Sequence, residues 1–412
     1  MSPLRVTLCL VVAMGLPILW GCGKSTTESG PVQGRQKVAP SEPEPKDVQQ
    51  DSEPPPPAEP EVPIASDSRE EPKQVVESKP QRDQAETEPA TPPMTREEAI
   101  AEINRLGGDV RLDPDDPSRV ETVRLQKPEV TDDALTHLAA LPSLQVLCLQ
   151  TAAITDDGLK HLQTLKNLEQ LHLDRTQITG VGLEHLTELP NLRRLYLSET
   201  QITDATLKHV KGLTHLEYLL LSQTQITDAG LQHLESLTKL ESLQLWDNQV
   251  TGAGIKHLEP TSLAQLVIGD CPVTDAELAH LKRLTKLNTL SLCGTEITDA
   301  GLVHLQSLVN LEHLNLTETQ IRGVGLRHLK ALTKLREFEA SRSGFNDSGL
   351  QHVSTLPGLR RLNLHGSQVT DAGLVHLEGM NNLRILELTW TDVTEDGAGE
   401  LRKALTDCEI LR

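Results

Sequence analysis

The sequence predicts an α/β solenoid, in which a short strand and a helix alternate, the strands stacking into one parallel sheet and the helices covering its outer face. Two observations carry this prediction: a phrase of 24 residues returns about eleven times after Val120, and aromatic residues make up only 2% of the chain while leucine recurs at fixed intervals. A compact core of comparable size would use Phe, Tyr and Trp to fill its volume. Leucine layers fill this one, so the units must stack on one another to bury their apolar faces.

Each unit has two halves. In Leu168-Glu-Gln-Leu171-His-Leu173, alternate leucines point inward from a short strand and the residues between them face solvent. In the second half, Ile-Thr-Asp-Ala-Gly-Leu-x-His-Leu-x-x-Leu, the Thr-Asp pair suits a helix N-terminus and leucines at spacing three line the inner side. Histidine marks the period: His137, His161, His185, His209, His233 and His257 are 24 residues apart, and after one 23-residue step His280, His304, His328, His352 and His376 follow.

Two units depart from the pattern. The unit after His257 lacks one residue beside Pro260, which reads as a deletion in a loop rather than a bend in the array. Near the C-terminus Phe338 and Phe345 accompany Ala340, where leucine is expected, as volume compensation would have it. Thr95 to Glu98 forms a capping box, with Ala99, Ile100, Ile103 and Leu106 on one face and Gly107-Gly108 as a stop. Residues 95–119 are therefore expected to close the open end of the core, and 394–412, a more charged helix and half strand, the other.

The N-terminal region is of another kind. Arg5 precedes an apolar stretch, Val6 to Trp20, too short to span a bilayer and interrupted by Pro17, which predicts a signal peptide over residues 1–21. Leu19-Trp20-Gly21-Cys22 resembles the lipobox of bacterial lipoproteins, although Trp20 departs from its usual small or aliphatic residue. The resemblance implies lipidation of Cys22, export, and a place in the cell envelope, facing periplasm or exterior from the outer membrane. Residues 22–94, rich in Pro, Glu, Gln, Ser and Lys and including the run Pro54 to Pro57, are expected to form a disordered tether.

From Val120 onward the chain resembles the leucine-rich-repeat family, and the phrase ITDxGLxHLxxL is similar to the helical subtypes of bacterial exported repeat proteins and of F-box proteins. The family implies a horseshoe with a concave parallel sheet, and a ligand site on the strand positions the leucines leave free. Its usual ladder asparagine is replaced mostly by threonine, at Thr176, Thr200, Thr224, Thr295, Thr319 and Thr391, with Asn248 the conventional residue. Threonine hydroxyls can bond backbone in the same turn.

No motif points to chemistry. Gly23-Lys24-Ser25 lacks the first glycine of a phosphate loop, since Ile18 stands there, and Gly180-Val-Gly182, Gly252-Ala-Gly254 and Gly323-Val-Gly325 share one repeat phase without a third glycine. The aligned histidines stand on neighbouring outer segments, too far apart for shared zinc ligation. They are expected to pack between units and bond backbone or the Asp and Thr caps. Cys271 and Cys293 differ in repeat phase, so no disulfide is expected between them. No catalytic residue, metal or cofactor is expected, and the net charge of −20 argues against nucleic acid.

What remains is a binding surface. His172, Tyr196 and Leu220 share one strand phase, with Tyr218, Gln244 and Trp246 on the same or adjoining phases. Tyr196, Tyr218, Trp246 and Trp390 are placed on the solvent-facing side, where the core does not require aromatics. Exposed aromatics in a group mark interaction sites, and Asp174, Arg175, Glu199 and Asp247 form the expected rim. The reading is a monomeric, non-catalytic module binding a protein or glycan, membrane-held through its lipid. A structural or adhesive envelope component is the alternative, and an F-box-like adaptor conflicts with the export signal.

Overall fold

The computed structural model describes residues 94–412. The signal peptide, Cys22 and nearly all of the proposed tether lie outside the described residues. Among the described residues there are fourteen strands in strict sequence order: β1 (Asp109–Leu112), β2 (Val120–Arg124), β3 (Val146–Cys148), β4 (Gln170–His172), β5 (Arg194–Tyr196), β6 (Tyr218–Leu220), β7 (Ser242–Gln244), β8 (Gln265–Val267), β9 (Thr289–Ser291), β10 (His313–Asn315), β11 (Glu337–Glu339), β12 (Arg361–Asn363), β13 (Ile385–Glu387) and β14 (Glu409–Leu411). From β2 onward every pair is parallel. The pairing joins each residue to its equivalent in the next unit, as in Leu171 with Leu195 and Leu195 with Leu219.

The cap at the N-terminal end holds the arrangement the sequence suggested and one it did not. Thr95 Oγ1 accepts the Glu98 N–H and Glu98 Oε2 accepts the Thr95 N–H, completing the capping box of the helix Arg96–Arg105, which buries Ala99 and Ile103. The sheet, however, begins before Val120, because β1 pairs antiparallel with β2. This strand covers the backbone edge of β2, an edge that would otherwise stay open to pairing with another chain.

The outer segments are helical as expected, most of them in the tighter 3-10 form. The 3-10 turns include Asp156–Leu162, Val181–Glu188 and Ala253–Leu258, while α-helix forms single turns such as Asp228–Leu231 and the longer segments Asp347–Val353 and Glu395–Ala404. The reason is in the leucine spacing. Leu183, Leu186, Leu189 and Leu192 are three apart and all buried, and residues three apart eclipse one another only when a turn takes three residues.

The Thr-Asp pair does more than cap its own segment. Asp156 accepts from the N–H and hydroxyl of Thr179 (2.9 and 2.7 Å) and from the N–H groups of Gly180 and Gly182 (3.0 and 2.9 Å), all in the next unit. Asp275 grips Thr298, and Asp347 grips Thr370, in the same way. Burial would raise the Asp156 carboxyl, but the hydrogen bonds from Thr179, Gly182 and Gly180 outweigh it and hold it below the ordinary range. The motif's glycine follows from this contact. A Cβ at Gly230 would lie 2.4 Å from Asp204 Oδ1, and one at Gly373 2.3 Å from Asp347 Oδ1.

On the inner side of the turn, Thr176, Thr200 and Thr295 each donate their hydroxyl to the carbonyl three residues earlier, in place of an asparagine ladder. Asn248 reaches further, donating to both Leu221 and Leu245 carbonyls.

Both irregular units are absorbed locally. The pairing of Ser242 with Gln265 keeps register across the 23-residue unit, and Thr261 stands buried in place of a leucine, its hydroxyl on the Leu258 carbonyl. Phe338 and Phe345 pack at 6.0 Å between centroids, and the Phe345 ring fills the space that Gly323 and Gly349 leave empty. Cys271 is free, its buried thiol donating to the Leu245 carbonyl at 3.2 Å, so it forms no bridge to Cys293. Among the described residues no helix is long and apolar enough to cross a membrane.

Asp156→Ala leaves the Thr179, Gly180 and Gly182 donors without their acceptor. It should lower unfolding stability by about 2–4 kcal/mol in urea, whereas Asp157→Ala, at the exposed neighbour, should cost under about 0.5 kcal/mol. Equal effects would show that the Asp rung does not join units.

Candidate binding surface

Register fixes the surface before any side chain is considered. His172 pairs with Tyr196, Tyr196 with Leu220 and Leu220 with Gln244 along β4 to β7, so four predicted residues form one row, all half-buried. At about 4.8 Å between strands this row is roughly 15 Å long. The first strand position adds a parallel row in which Arg194 faces Tyr218.

Within these rows the side chains lock one another. The His172 and Tyr196 rings stack at 3.9 Å between centroids and 9° between planes. The Arg194 guanidinium lies 4.7 Å from the centroid of the Tyr218 ring, within the range of a cation–π contact. Burial, with help from Arg124 and Arg194, lowers the His172 imidazole to about 4, so it is neutral at physiological pH. Tyr196 is raised by burial. The result is a neutral aromatic stack beside a fixed cation.

The rim is partly as expected. Arg175 and Glu199 are exposed and paired at 2.6 Å, and both take positive φ in the turn after their strands. Asp247 accepts from Gln223 at 3.1 Å. Asp174 is half-buried rather than open: its Oδ1 accepts the Ser198 N–H, and burial pushes its carboxyl up to about 6.

Trp246 is a correction. It is 9% exposed and belongs to the interior, not to the solvent-facing anchors. Its indole fills the gap above Gly269, where an added Cβ would come within 2.4 Å of the ring, and its Nε1 is buried without a partner. Alternation along a strand could not show this, because the space depends on a glycine in the following unit.

A second titratable group, which sequence patterning missed, sits on β10 to β12. His313 contacts Glu337 at 3.2 Å, and the buried Glu339 beside them is raised to about 7 by burial, against the pull of Arg361. The signal was available in the strand columns, where Glu337 and Glu339 are the one pair of acids on a single strand's inner face.

The aligned histidines make a different contact from the one expected. His185 bonds Gln163 at 3.0 Å and His209 lies 3.7 Å from Glu184, partners in the preceding unit that are neither backbone nor the Asp and Thr caps. Among the described residues no three His, Cys, Asp or Glu side chains converge as a metal site would require.

With this geometry the chain belongs to the leucine-rich-repeat family: the model of a leucine-rich repeat region matches residues 128–411. Among solved structures, an internalin of Listeria monocytogenes is similar, with a TM-score of 0.54 and 23% identity over 76% of this chain and 94% of that one. A leucine-rich-repeat protein of Leptospira interrogans has a TM-score of 0.46 and 22% identity over 67% of this chain and 80% of its own. A plant peptide hormone receptor, solved in complex with RGF2, has 0.43 and 14% over 67% and 56%. No curated protein matches the sequence. At these identities the likeness establishes the fold.

Asp174 supplies a test of the burial described. Its folded pKa, about 6, stands above the ordinary 3.8, so ionising it works against the folded state and wild-type stability falls as pH rises between those values. Asp174→Asn keeps the acceptor for Ser198 without the charge. It should match wild type at pH 3.5 and exceed it by about 1–3 kcal/mol at pH 8 in urea unfolding. An equal difference at both pH values would contradict the buried carboxylate.

Proposed function

We propose that this chain is a non-catalytic protein-binding module whose ligand lies on the inner sheet face at β4 to β7, held at a bacterial envelope membrane by a lipid on Cys22. The observation that carries the binding site is the locked pair of contacts, His172 on Tyr196 and Arg194 beside Tyr218. Rings already fixed by their neighbours lose little rotamer freedom when a partner covers them, which is the physical basis of aromatic hot spots. Leu220 and Gln244 extend the surface, and Asp174, Arg175, Glu199 and Asp247 border it. Membership in a family whose proteins commonly bind other proteins supports the reading. The lipid anchor rests on the Leu19-Trp20-Gly21-Cys22 sequence.

A pull-down from bacterial envelope extract, using the whole chain beside a Tyr196→Ala/Tyr218→Ala variant, tests the site. A partner held by wild type should weaken about 30-fold or more in the variant, since a hot-spot tyrosine is worth about 2 kcal/mol. A partner retained unchanged, or none with either protein, would move the assignment to a structural envelope component. The anchor is tested separately. Wild type expressed in a bacterium should enter the detergent phase on Triton X-114 partition, and Cys22→Ser should remain in the aqueous phase. Identical partition would remove the lipid from the proposal.

A further inference from the structure

Trp390, three residues after β13, is 86% exposed, the most exposed large apolar side chain among the described residues. Its backbone is left-handed, with φ +60°. The equivalent turn position is glycine in two other units, Gly294 (φ +70°) and Gly366 (φ +64°), and a polar residue such as Glu199 or Arg342 in others. That conformation disfavours a bulky side chain. An indole that is strained in backbone and buries little is not accounted for by folding.

The side chains beside it are held in a defined hydrogen-bonding state. The Thr389 hydroxyl donates to Glu387 Oε1 at 2.5 Å, and the Thr389 N–H donates to the same oxygen. A hydroxyl carries one proton, so the 2.6 Å contact between His365 Nδ1 and Thr389 Oγ1 is donated by the ring. In the neutral ring this leaves His365 Nε2 as an acceptor, and the ring lies 6.0 Å from the Trp390 indole. Asn363 Oδ1 accepts the His365 N–H at 3.1 Å, and its amide nitrogen is a donor. Glu387 keeps its second oxygen.

We infer that this end of the inner face is a carbohydrate subsite, which takes one pyranose ring of a neutral oligosaccharide against the Trp390 indole. A pyranose has an apolar C–H face, which suits an exposed indole, and a rim of hydroxyls that each donate and accept. The Glu387 oxygen and His365 Nε2 accept such hydroxyls, and the Asn363 amide donates to one. A cationic ligand fits less well: a single exposed aromatic makes no cage, and the Glu387 carboxylate already takes two hydrogen bonds. The subsite shares no residue with the β4 to β7 surface, so it stands or falls independently of the protein-binding assignment.

Titration calorimetry of the whole chain with maltotetraose, cellotetraose, chitotetraose, xylotetraose and mannotetraose tests it. At least one should bind saturably in the millimolar range. Trp390→Gly should weaken that binding about tenfold or more, and Glu387→Gln about tenfold. Since Gly366 already occupies the equivalent turn, Trp390→Gly should melt at or above the wild-type temperature, which separates lost binding from lost folding. Tyr196→Ala should bind the sugar as wild type does. Saturable binding of none of the five, binding unchanged in Trp390→Gly, or Trp390-dependent binding of tetralysine in their place would overturn the inference.

Discussion

The structure depends on each strand residue resting on its own counterpart one unit away. Parallel strands in register, with Leu171, Leu195, Leu219 and Leu243 stacked in one column, leave no freedom to slip, because a one-residue shift would turn every leucine to solvent. The outer face repeats the constraint by other means. Each Asp that reaches across to the Thr of the following unit, as Asp156 does to Thr179 and Asp371 to Thr394, ties the convex turns together where no sheet can. Inner ladder and outer rungs share the same period, so a residue lost on one side must be made good locally, as Thr261 does beside Pro260.

A scaffold this regular gives the surface its meaning. Wherever leucine, Asp, Thr and Gly recur, packing explains them, and what varies along the inner strands is free for recognition. The varying residues are not scattered. The His172, Tyr196, Arg194 and Tyr218 group lies at β4 to β6, the His313, Glu337 and Glu339 group at β10 and β11, and Trp390 with Glu387 and His365 beside β13. Burial in the inner face separates them chemically: it keeps His172 neutral and moves Asp174 and Glu339 toward neutral pH. The inner face is thus a series of different surfaces on one frame.

Much of the frame was legible in the sequence because repetition removes the ambiguity of single elements. One short run such as Leu-x-x-Leu-x-Leu could be many things, but eleven of them at one spacing can only stack. The period placed the strands, the capping box placed the first helix, and the shared phase of His172, Tyr196 and Leu220 placed them in one row. The tighter 3-10 geometry was present in the spacing of Leu183, Leu186 and Leu189 as well, once three is read as the turn itself.

Tertiary structure alone decided the features that depend on what lies opposite. Trp246 and Trp390 stand on adjoining repeat phases, Trp246 two residues after β7 and Trp390 three residues after β13. Trp246 is buried where Gly269 leaves room for its ring, and Trp390 stands 86% exposed at a left-handed turn position. The same holds for the Asp of the Thr-Asp pair, whose main partners lie 23 to 26 residues onward, and for β1, whose antiparallel pairing no periodic pattern announces. Sequence periodicity determined which residues face inward, since that is a property of one chain's spacing. The space each inward or outward residue finds is set by its neighbour in the adjacent unit, and that is known only once the units are stacked.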